Sequence, residues 1–68
     1  NKMSNQVYMS EIPKCDFCRT KQASYDASTL NGQWAWMCND CWPIYRKSET
    51  LGTGHGQKLI LKTELKNG

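Results

Sequence analysis

Sixty-eight residues, 38% of them hydrophobic and with a negative mean hydropathy, describe one small domain with a thin core. A chain this short buries only about 60% of the surface it exposes unfolded, which excludes a large self-sufficient interior and calls for disulfides, a metal or a partner. The formal charge is +3, nine Lys plus Arg against six Asp plus Glu, and no stretch approaches the roughly 20 apolar residues of a membrane span.

In chain order, residues 1–13 are mostly polar and contain no apolar run resembling a signal peptide. They read as a flexible N-terminal arm before a single domain spanning 14–66, although Val7, Tyr8, Met9 and Ile12 are suited to docking on its core. Cys15-Asp16-Phe17-Cys18 is a tight turn carrying two thiols. Ala23 to Cys38 reads as a β-hairpin, because Asn31-Gly32 tolerates positive φ at both centres of a type I′ turn. With those two residues as the turn, Thr29 faces Trp34, Ala27 faces Trp36 and Tyr25 faces Cys38. Side-chain alternation then collects Tyr25, Ala27, Trp34, Trp36 and Cys38 on one face, the expected core, with at least two of the three indoles inside it.

Beyond Cys38, Asn39 or Asp40 is a helix cap and Pro43 fits a first helical turn, whose amides have no intrahelical partner. Ile44 to Thr50 gives about two turns, stopping near Gly52. Gly52, Gly54 and Gly56 make Leu51 to Gln57 a loop. Lys58 to Lys66 alternates as a half-buried strand, with Leu59, Leu61, Thr63 and Leu65 on one side. Lys58, Lys62 and Lys66 also stand at helical spacing, so a C-terminal helix is the alternative.

The two C-x₂-C pairs, Cys15/Cys18 and Cys38/Cys41, are separated by 19 residues, a spacing expected of zinc sites. Two intervening residues let a turn deliver both sulfurs to one edge of a tetrahedron about 2.3 Å from the ion. The insert is long enough for a hairpin that returns the second pair opposite the first. Cys41 falls near a helix N-terminus, whose positive end favours the thiolate. The reading is one structural Zn²⁺; two disulfides, a redox pair, and a four-thiolate iron or iron–sulfur centre are the rivals. Four thiolates subtract four charges and Zn²⁺ restores two, leaving +1, which is far from the strongly basic footprint of an obligate nucleic-acid binder.

The order of knuckle, hairpin and helix over about 14–50 resembles the treble-clef class of zinc fingers, an α+β fold, with a plain zinc ribbon as the alternative. Such knuckles often carry Gly after the second cysteine, where this chain has Arg19; a left-handed Arg19 implies strain of order 1 kcal/mol. A wider string, the cysteine pairs with Tyr25-Asp26, Gly32, Trp34-Ala35, Leu51-Gly52-Thr53-Gly54 and Gly56-Gln57, is similar to small zinc-finger proteins of bacteriophages and bacteria. That resemblance implies a phage or bacterial cytoplasm more than an activity.

His55 is expected as a solvated loop residue, since four thiolates already complete a tetrahedron. The Gly-x-Gly-x-Gly run lies after a helix and before a strand, the reverse of a phosphate loop, and lacks the following Lys. No catalytic constellation is visible and no small-molecule substrate or membrane is implied, so a non-catalytic binding module is expected. Lys14, Arg19 and Lys21 around the knuckle, with Arg46 and Lys47 on the helix, are the candidate contacts to a partner. The clustered cations favour nucleic acid; the corrected charge favours a protein. The sequence does not separate the two.

Overall fold

A computed structural model describes residues 5–63. Four strands and one helical turn follow in the order β1 (Gln6–Met9), β2 (Tyr25–Ser28), β3 (Trp34–Met37), α1 (Trp42–Tyr45) and β4 (Gly56–Leu61). They form one mixed sheet in the order β1-β4-β2-β3, antiparallel except for the parallel pair β1–β4. Among the described residues no helix is long and apolar enough to cross a membrane.

The hairpin forms, but one residue out of the expected register. Tyr25 pairs with Met37, Asp26 with Trp36, Ala27 with Ala35 and Ser28 with Trp34. The loop is three residues, Leu30-Asn31-Gly32, rather than two. Thr29 donates its amide to the Gln33 carbonyl at 2.8 Å, Gly32 donates to Thr29 at 2.9 Å, and Gly32 takes φ 90°. This is the three-residue solution, a turn followed by one left-handed residue, and it uses the Asn-Gly pair as readily as a type I′ turn does. The Thr29 hydroxyl donates to the Gln33 carbonyl at 2.6 Å, and the Gln33 amide to Asn31 Oδ1 at 3.2 Å, so side chains add to the longer loop.

A one-residue slip exchanges the faces of a strand. Tyr25, Ala27, Ala35 and Met37 therefore point toward the core, and Asp26, Ser28, Trp34 and Trp36 point the other way. The expected core face is corrected accordingly. Trp34 and Trp36 are 49% and 39% exposed, and only Trp42 packs against the buried cluster.

The helix is also shorter than expected. It ends at Tyr45, and Arg46 is extended at ψ 148°. The reason is a competing set of backbone partners. Leu30 donates to the Tyr45 carbonyl at 2.9 Å and Lys47 to the Ser28 carbonyl at 2.9 Å, so Arg46 bridges to Thr29 beyond the end of β2. Ser48 then turns the chain by accepting the Thr50 amide at 3.0 Å. The cap is Cys41 rather than Asn39 or Asp40, and no side chain bonds the free amides.

Part of the segment read as an arm supplies β1, which lies on β4 with Val7 beside Leu59. Beyond β4, Lys62 and Thr63 turn helical, and residues 64–66 of the expected strand lie outside the described residues. The glycine run closes a tight turn. Gly52 and Gly56 exchange backbone hydrogen bonds at 2.6 and 3.0 Å, and the His55 carbonyl accepts the Ser28 amide at 3.0 Å. Its last glycine has a second purpose: a Cβ on Gly56 would sit 2.4 Å from Ala27 Cβ, so β4 reaches β2 only because none is there.

Candidate metal centre

The first knuckle sits at the tip of a short two-stranded ladder. Ala23 donates to Pro13 at 2.8 Å, Lys14 bridges to Gln22, and Cys15 donates to Lys21 at 2.9 Å. The turn closes through Arg19, which donates to the Cys15 carbonyl at 3.1 Å with φ 62°. Arg19 takes the left-handed conformation in spite of its side chain, and it is the only non-glycine with positive φ among the described residues.

Asp16 then clamps the knuckle to β3. Its amide donates to the Trp36 carbonyl at 2.8 Å, and its Oδ2 accepts the Trp36 amide at 2.8 Å. Cys38 follows two residues later, so this clamp brings the first pair against the second. Trp42 donates to the Cys38 carbonyl at 2.9 Å and Tyr45 to the Cys41 carbonyl at 3.0 Å, which makes Cys41 the entry residue of α1. Aromatic stacking holds the helix in place: Phe17 on Tyr45 at 3.9 Å between centroids, and Tyr25 on Trp42 at 4.1 Å.

The outcome is four cysteine sulfurs within 4.8 Å of one another. Cys15, Cys38 and Cys41 are buried, and Cys18 lies at the surface. Cys18 and Cys38 sulfurs are 3.8 Å apart, far beyond a disulfide bond and matching the edge of about 3.8 Å that a tetrahedron with 2.3 Å metal–sulfur distances requires. All four thiols are free. The donor set, its count and its spacing fit one metal ion, and four protein ligands leave no open position on it.

The thiols differ in how readily they lose a proton. Burial raises Cys15, but backbone amides of Cys18, Cys38 and Phe17 outweigh it and lower the thiol overall. Cys18 is pulled down to about 6, chiefly by the Thr20 hydroxyl and then by the amides of Lys21 and Thr20. Cys41 goes the other way, pushed up to about 12 by burial and by Cys15 and Cys38 beside it. The expected help from a helix N-terminus is overridden, because one turn carries little dipole and the site's own sulfurs crowd Cys41.

Of the five candidate contact cations, two are engaged within the molecule. Lys21 pairs with Asp40, which raises the lysine's pKa. Arg46 lies 4.5 Å over the Trp42 ring, with Glu49 at 3.7 Å. Lys14, Arg19 and Lys47 are exposed and have no ion pair among the described residues. His55 is exposed and stands outside the cysteine cluster.

Sequence reasoning missed four participants. Asp16 and Thr20 act through hydrogen bonds that no motif announces, Asp16 to the Trp36 amide and Thr20 through its hydroxyl to Cys18, and the outward-facing Trp34 and Trp36 follow from the register. Comparisons with protein-family models, curated proteins and solved structures find no match to this chain.

Proposed function

We propose that this chain is a non-catalytic, zinc-stabilised binding module whose partner is a protein. The metal assignment rests on four sulfurs within 4.8 Å of one another, one pair of them at 3.8 Å, a donor set that suits zinc. A ferric ion would take the same sulfurs but colour the protein, so a colourless sample with one zinc per chain supports the assignment. The order knuckle, hairpin, helix supports kinship with treble-clef fingers, with a longer sheet and a shorter helix than that class implies. The sequence resemblance adds a phage or bacterial cytoplasm as the proposed setting.

The observation that carries the partner class is the exposed surface. Tyr8, Phe17, Leu30, Trp34, Trp36, Ile44 and Tyr45 are large apolar side chains left facing solvent in a domain of this size. Aromatic residues concentrate at the energetic centres of protein interfaces. Two of the five candidate cations are already spent on Asp40 and Trp42. Nucleic acid is the second reading, supported by Lys14, Arg19 and Lys47, and by indoles able to stack on bases.

A mobility-shift series with single- and double-stranded DNA and RNA separates the readings. Phosphate contacts give affinity that falls steeply with salt. The protein reading expects no shift at low salt. A salt-sensitive shift lost on charge reversal at Lys14 and Lys47, with metal content unchanged, overturns it.

A further inference from the structure

We infer that the cleft between Trp34 and Trp36 receives an arginine side chain from an extended peptide segment of the partner. The inference deepens the protein-binding reading and rests on it. Trp34 and Trp36 stand two residues apart on the outward face of β3, and with Asp16, Asp26 and Ala35 they line an open cavity of about 230 Å³. No cation lines it.

The chemistry of the walls selects the occupant. Indole faces attract cations, and carboxylates at the rim add charge. Asp26 stands directly across from Trp36 in the β2–β3 pairing, and its Oδ2 accepts a long hydrogen bond from Gln57 Nε2 at 3.4 Å. Asp16 uses one oxygen on the Trp36 amide. Neither aspartate has an ion pair among the described residues. A planar guanidinium is able to lie on an indole while its N–H groups fork to carboxylates, which a compact ammonium cannot do. The molecule already contains one such pairing, Arg46 over Trp42 at 4.5 Å.

The edge of the sheet specifies a peptide. β3 is an outer strand. Trp36 turns its amide and carbonyl away from β2 toward Asp16, and strand alternation directs those of Trp34 the same way. An extended chain laid along that edge would pair with Trp34 while delivering its arginine into the cleft.

The test uses the metal-loaded full chain and a blocked Val-Thr-Arg-Thr-Val peptide, followed by indole N–H resonances in NMR. Binding shifts Trp34 and Trp36 and leaves Trp42 in place. Replacing the arginine by citrulline, which keeps the shape without the charge, weakens binding by about ten-fold or more, and Asp26→Asn does the same. Trp34→Ala abolishes binding with metal content and the Trp42 signal unchanged. Equal binding of the citrulline peptide, or no shift at millimolar peptide, overturns the inference. So does equal binding of N-acetylarginine amide, which would make the site one for a free guanidinium. Failure here leaves the protein-binding reading standing, because that reading is decided by the salt series with nucleic acid.

Discussion

Arg19 occupies a backbone conformation that disfavours any side chain, at φ 62°. A left-handed residue costs about 1–2 kcal/mol, of which glycine's greater freedom in the unfolded chain takes back part. Arg19→Gly is therefore expected to stabilise the metal-loaded protein by about 0.5–1 kcal/mol, seen as a thermal midpoint raised by about 3–6 °C; a lowered midpoint contradicts the strain. Gly56 gives the opposite case. Gly56→Ala drives a methyl into Ala27 and should cost about 2 kcal/mol or more. Ala27→Gly in the same chain removes the methyl it meets and should recover part of that loss, whereas simple additivity of the two changes would place the clash elsewhere. Cys41 makes a third prediction. A thiol pushed up to about 12 is protonated at neutral pH, so a metal must displace that proton to bind. Affinity should then rise with pH across the neutral range and fall on acidification. Calorimetry of metal binding at pH 7 in buffers of different ionisation enthalpy should register net proton release, and none would contradict the assignment.

The elements show which parts of the fold could be read in advance. The hairpin was legible because Asn31-Gly32 lies between two strand-like runs, and the knuckle because C-x₂-C fixes a turn. The register was not, since the Asn-Gly pair serves two-residue and three-residue loops alike, and choosing between them decides where two indoles go. The helix was over-read because local signals cannot see that Tyr45 and Lys47 find backbone partners near β2. The pairing of β1 with β4 joins segments near opposite ends of the chain, and no local pattern encodes it. The grouping of the four cysteines was legible in full; Asp16, which aligns the two pairs, was not. Fluorescence tests the register directly. A variant retaining only Trp42 should resist acrylamide quenching more than variants retaining only Trp34 or only Trp36. The reverse order would restore the two-residue turn and return those indoles to the core.

At the scale of the whole molecule, the main buried cluster is built around the cysteines. Of the five residues in the buried cluster three belong to the cysteine group, Cys15, Cys38 and Cys41, joined by Ala27 and Met37. Little apolar material is left to hold the sheet against the knuckle, and the net stability of small domains is only a few kcal/mol. Apparent binding energies of about 10–16 kcal/mol for structural zinc exceed that margin, so the proposed ion is expected to decide whether the chain folds. The most direct measurement is native mass spectrometry with elemental analysis of protein purified without added metal, followed by circular dichroism during chelation. One zinc per folded chain, with β-structure lost as the ion leaves and regained on its return, is the expected result. A well-ordered protein carrying no stoichiometric metal would contradict the account at its root.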